Sequence, residues 1–173
     1  PCDVHATTHC WRMAMENMET PTALIFSRQN IKDLPSGTDY ESGVRRGAYE
    51  VVHEANPDVI LVASGSEVST LADTAALLAN DGIKARVVSC PSEGLFRRQP
   101  KEYQESLLPT DFPIFGLTAG LPITFEGLVG NKGKVHGLES FGFSAPYKVL
   151  DEKLGYTAEN IYREVKEYLG GLA

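Results

Sequence analysis

The sequence predicts an α/β fold: a three-layer α/β/α domain around a mostly parallel, mixed sheet of about five strands, preceded by one helix-strand unit from another domain. Three observations carry that expectation. DVILVAS, residues 58 to 64, is continuously apolar and β-branched, as a strand covered on both faces should be. SGSEVSTLADTAALLANDG follows, with Val68, Leu71, Ala72 and Ala75 on one helical face. KARVVSC, 84 to 90, repeats the strand signal, and strand, helix and strand in succession make a right-handed βαβ unit with a parallel sheet.

The remaining elements follow in chain order. Residues 3 to 18 read as a helix with Asp3 as N-cap and an apolar stripe of Ala6, Cys10, Met13 and Ala14. TALIFS, 22 to 27, suits a buried strand. NIKDLPSGTDYESGVRRG then mixes Pro, Gly, Ser and charges without periodicity, the composition of a linker. The expected organisation is therefore 1–29 as the tail of one domain, 30–46 as linker and 47–173 as the second domain. In that second domain AYEVVHE reads as an exposed or edge strand. Ser64 and Glu67 have capping-box spacing before the helix that Gly82 ends. PIFGLTA and KVHGLES read as two short strands with a helical piece near ITFEGLVG between them. Two helices close the chain, one capped by Ser144 and stopped by Gly155, the other starting at Thr157 with a stripe of Ile161, Val165, Tyr168 and Leu169.

Composition excludes several function classes. The 173 residues hold 16 basic and 23 acidic side chains, a net charge of -7, so no broad cationic field exists for nucleic acid or an anionic membrane. No apolar run approaches membrane-spanning length, and PCDVHATTHC has neither a charged n-region nor an apolar h-region. Three cysteines, Cys2, Cys10 and Cys90, form no paired framework and point to reduced thiols in a cytoplasmic setting. A start at Pro1 running straight into a helical pattern reads as a piece of something longer.

Each candidate site has an ordinary structural reading beside it. His5 and His9, at i and i+4, have metal-ligand spacing, but Cys10 points about 100° away from His9 and no CxxC completes a tetrahedral set. The turn ASGSEV leads into a helix N-terminus that can hold an anion, yet GxGxxG is absent. Gly127, Gly130, Gly133 and Gly137 lack the Lys-Ser/Thr of a P-loop and read as turns. His136 reads as a satisfied structural histidine, and Cys90 as packing. Arg28 differs, because it stands where the apolar TALIFS run ends. A planar guanidinium at a strand's carboxyl end either grips a phosphate or carboxylate or pairs with an acid such as Asp33, and spacing leaves both open.

Longer blocks carry a resemblance. PCDVHATTHCWRMAMENMETPTALIFSRQN is similar to the last helix and strand of the pyrimidine-binding domain of transketolases. VILVASGSEVSTL, KARVVSCPSEGLFRRQPKEYQESLLP and SFGFSAPYKVLDEKLGYTAENI resemble the family's C-terminal domain in order. Thr118, Ala119, Gly120 and Phe125 depart from the family's pattern, which bears on local packing. Related thiamine enzymes share the strand-GS-helix pattern but not the RVVS-PS-F-Q-Y-S-LP run.

The resemblance implies a homodimeric, cytoplasmic enzyme of the pentose phosphate pathway that uses thiamine diphosphate and a divalent metal, usually magnesium, to move a two-carbon ketol unit between sugar phosphates. It implies Arg28 as a substrate-phosphate ligand, the rest of a transketolase chain as partner, and no catalytic, cofactor-binding or metal residue within these 173. Such a piece alone is expected to be inactive and to bind no cofactor. The competing expectation is a stand-alone, non-catalytic binding or scaffold module with the same fold. Residues 1–29 discriminate the two, and as a piece of another domain they are expected to dock loosely.

Overall fold

The computed structural model describes residues 1–34 and 39–172. Its centre is β2 (Val59–Ala63), whose five residues are all buried because apolar, β-branched side chains alternate to both faces of a covered sheet. β3 (Ala85–Ser89) and β4 (Ile114–Leu117) pair with it in parallel on either side, β5 (Lys134–His136) pairs in parallel with β4, and β1 (Tyr49–Val52) adds antiparallel to β3. The order β1-β3-β2-β4-β5 makes the sheet mixed and mostly parallel, with the expected edge strand at its β1 side.

Each face has its own core. Val59, Leu61 and Ala63 point into one, with α3 (Glu67–Asn80) and α8 (Ala158–Gly170) supplying Leu71, Leu78, Ile161 and Val165. Ile60 and Val62 point into the other, against Phe96, Leu107, Phe125 and Leu128 of α4 (Glu93–Arg97), α5 (Lys101–Leu107) and α6 (Ile123–Val129). Each fully buried Val, Leu or Ile contributes about 1.5–3 kcal/mol. The helices α4 and α5 span five and seven residues, too short for periodicity to announce. Among the described residues no helix is long and apolar enough to cross a membrane.

Several local expectations need correction. Helix α3 begins two residues later than a Ser64 cap requires: Gly65 takes the left-handed turn at φ 63°, and Ser66 stands at the N-cap without a side-chain cap bond. The helix α7 (Tyr147–Leu154) likewise starts after Pro146, not at a Ser144 cap. Within the stretch expected as linker, 40–46 form α2 (Tyr40–Arg46), capped by Asp39 accepting from the Ser42 amide and stopped by Gly47. Residues 35–38 lie outside the described residues. TALIFS forms no strand, because among the described residues no neighbouring strand offers it a ladder; Ile25 is 81% exposed.

The helix α1 (Val4–Glu16) is seated more firmly than expected. Cys2 and Ala6 are fully buried in the same core as Val44 and Tyr49. Asp3 caps the helix through the Ala6 amide at 2.8 Å, and its other oxygen accepts from the Tyr40 hydroxyl and the Leu34 amide. One 3% exposed carboxylate thus joins α1, α2 and the segment between them. The ion pairs Arg12–Glu41 and Arg45–Glu16 between the two helices are exposed and contribute little. Residues 17–29, by contrast, are half-buried at most.

Asp3→Ala removes a cap and takes the carboxylate acceptor from the buried Leu34 amide, so it should cost about 2 kcal/mol or more and lower Tm by roughly 4–8 °C. Tyr40→Phe keeps the cap and should cost less than half of that. Thermal unfolding followed by circular dichroism checks both; an Asp3→Ala protein with unchanged Tm would mean that α1 is not coupled to the core.

Candidate functional site

Parallel strands gather their outgoing loops at one edge of a sheet, and here those loops bound a cleft of about 680 Å³. Its floor is Ser64–Glu67 after β2, Pro91 and Ser92 after β3, Ala119 after β4 and Leu138 after β5. The segment 22–27 with Gln29 forms one wall, together with Cys10 and Met13 of α1. The opposite wall is α7, which contributes Tyr147, Leu150, Asp151 and Leu154 and has no buried residue of its own. The displaced start of α3 leaves Ser64 on the lining instead of in a cap.

The cleft's ionisable groups cluster beneath α7. Burial raises the Glu67 carboxyl above its ordinary range and the charge of Asp151 raises it further, while the Ser66 hydroxyl, donating to Oε1 at 2.9 Å, works in the opposite direction. Burial also raises Asp151. Tyr156 donates to the Thr118 carbonyl at 2.8 Å, and burial, helped by Glu67, pushes its phenol up to about 12. Behind it, His136 packs edge-on to the Tyr156 ring at 4.8 Å. Its ring nitrogens face Glu164 and the Leu154 carbonyl, each at 3.1 Å, so this histidine is a satisfied part of the β5–α7–α8 packing.

Arg28 stands elsewhere. Thr22 to Ser27 and Gln29 line the cleft, but Arg28 does not. It is exposed, and among the described residues its guanidinium has neither hydrogen bond nor ion pair, so the Asp33 pairing does not form.

The other candidates resolve into structure. Cys2 and Cys10 are core residues, His5 faces the Tyr40 ring at 5.4 Å, and no group of three His, Cys, Asp or Glu side chains could hold a metal among the described residues. Burial, with Glu93 adding, pushes the Cys90 thiol up to about 12, which suits packing and not attack. Gly137 is a close-approach glycine: a Cβ there would lie 2.8 Å from the Gly120 carbonyl oxygen. The α3 N-terminus carries Glu67, whose charge opposes a diphosphate. These residues therefore do not fit thiamine diphosphate and its metal. Sequence reasoning missed the Glu67–Asp151–Tyr156 cluster because its members lie on separate elements; the one local signal was Glu67 beside a strand-to-helix turn.

Comparisons with known proteins agree on one family. The family model for the transketolase-like TK C-terminal domain matches residues 47–157. Transketolase 2 of Vibrio parahaemolyticus is 38% identical over 171 residues, covering 98% of this chain and 26% of that protein. The transketolase of Leishmania mexicana superposes with a TM-score of 0.90 at 37% identity, covering 98% of this chain and 24% of that one. A Pichia stipitis transketolase solved with sedoheptulose-7-phosphate has a TM-score of 0.88 at 30% identity, with the same coverage. The chain spans about a quarter of the length of the curated relatives it matches.

The raised Glu67 carboxyl has a definite consequence for stability. The folded protein holds the Glu67 proton at a pH where the unfolded chain has lost it, so this contribution is full below the ordinary value of 4.5 and is lost as pH rises through the folded value. Urea unfolding between pH ~4 and ~8 should show Glu67→Gln losing less stability than wild type as pH rises. Parallel pH profiles for the two proteins would contradict the assignment.

Proposed function

From membership of the transketolase-like C-terminal domain family, to which this chain belongs, we infer that it works as the C-terminal part of a transketolase, a transferase moving a two-carbon ketol unit between sugar phosphates. The observation that carries the reading is coverage: the Leishmania likeness takes in 98% of the chain, reaching beyond the 47–157 family match. A stand-alone module has no need of α1 and the 22–29 segment, and that reading is not favoured. The apolar face formed by Trp11, stacked on Phe26 at 6.3 Å, with Met15, Met18 and Ile25 exposed, supports a role for these residues as the tail of a larger pyrimidine-binding domain. A family match beginning at residue 47 supports a C-terminal domain of 47–173, with 30–46 as the connection.

In this reading the ketol-transfer chemistry belongs to thiamine diphosphate with magnesium, held by parts of a cytoplasmic, homodimeric enzyme outside these residues. This chain supplies structure, dimer contacts and Arg28. An exposed guanidinium without a protein partner is free to take a phosphate in bidentate geometry. Binding energy gathered at the phosphate end positions the distant reacting carbons.

In a full-length transketolase bearing this sequence, Arg28→Ala should raise KM for phosphorylated sugars about tenfold or more, since a charge-assisted bond is worth about 1.5–3 kcal/mol. Unphosphorylated substrates should suffer less. Steady-state kinetics with matched substrate pairs decides: equal losses for both would remove the phosphate role.

A further inference from the structure

The cleft beneath α7 does not include Arg28 in its lining. At about 680 Å³ it lies within the roughly 300–1,000 Å³ range of small-molecule sites, and it occupies the carboxyl ends of parallel strands, where α/β sheets take ligands. Most of its lining is apolar, including Met13, Leu24, Leu95, Leu138 and Leu150. Among the described residues its charged side chains are both acidic, Glu67 and Asp151, and no Lys, Arg or His side chain lines it.

This arrangement selects by charge. The α3 N-terminus would ordinarily attract an anion, but Glu67 occupies its first turn, beside the Ser66 hydroxyl, and adds its own negative charge. Asp151 reaches the same space from α7, across the cleft. Two carboxylates in an apolar lining are short of compensating charge, and a bound cation would supply it. The Tyr147 and Tyr156 rings on the same side offer faces for cation–π contact. We propose that the cleft between α3, α7 and segment 22–27 is a binding site for a small organic cation, a protonated amine carried on an apolar body, with Glu67 and Asp151 as its counter-charges.

The site goes beyond the transketolase reading and stands or falls separately from it. Because both carboxyls are raised by burial, binding should strengthen as pH rises through their titration and weaken on acidification. The test is a methyl-resolved NMR titration of the 173-residue chain with phenethylamine, 2-phenylethanol and phenylacetate, which share one ring and differ in charge. Phenethylamine should saturate, shifting Leu95, Leu138, Leu150 and Leu154, and bind about tenfold or more tightly than the alcohol, with phenylacetate weakest. Asp151→Asn, on a helix with no buried residue, should weaken the amine several-fold without weakening the alcohol. Glu67→Gln should do the same if its spectrum remains that of the folded chain. Equal affinity for the three probes, shifts centred on the exposed Met15 and Met18 instead of the cleft, or no saturation by the amine would overturn the proposal.

Discussion

A parallel strand buried on both faces obliges the chain to cover it twice, and β2 is that strand. Its five residues are divided between two cores by nothing more than alternation: Val59, Leu61 and Ala63 to one side, Ile60 and Val62 to the other. Covering both sides requires helices between successive parallel strands, which is why β2, β3, β4 and β5 are separated by α3, by α4 with α5, and by α6. Once both faces are closed, the open features left are the sheet's edges and its ends. The cleft lies at the carboxyl end because the loops that leave the strands there must turn outward into their helices.

The second constraint is the attachment of the first residues. A carboxylate as buried as Asp3 is tolerable only when its oxygens have donors, and here they come from three places in the chain: Ala6, Leu34 and Tyr40. Cys2 contacts the Tyr49 hydroxyl at 3.4 Å, linking the same end of α1 to β1. Residues near the start are thereby held to the sheet, while the segment that follows, 17–29, stays near the surface with Arg28 outward. Anchored helix and exposed segment together bring the carrier of Arg28 alongside the cleft without turning the arginine into it.

What was legible in the sequence was what local periodicity encodes. The β-branched run of β2, the single-faced stripe of α3 and the Ile161–Val165 repeat of α8 each state their own burial, and the structure matches them. The misses arise where a distant partner decides. The residues of α2 look like linker because a glycine and two arginines blur the pattern; the helix holds through the Asp39 cap and through Gly43, which closes directly onto Tyr49. TALIFS has the composition of a strand but needs a neighbouring strand that the described residues do not supply. The cap moved from Ser64 to Ser66 because Gly65 takes the positive-φ turn, a choice that a capping-box spacing does not reveal. In the cleft, Glu67 and Asp151 acquire meaning only through the fold that brings α7 over α3.

Under the proposed function, the cofactor is held by the remainder of a transketolase and this chain contributes structure and a phosphate ligand. The most direct test is calorimetric titration of the folded 173-residue chain with thiamine diphosphate in the presence of magnesium. No saturable heat is predicted, because the described residues include no metal-holding group and the α3 N-terminus at the carboxyl end of the parallel strands carries Glu67. Saturable micromolar binding would contradict the division and give the chain a cofactor site of its own.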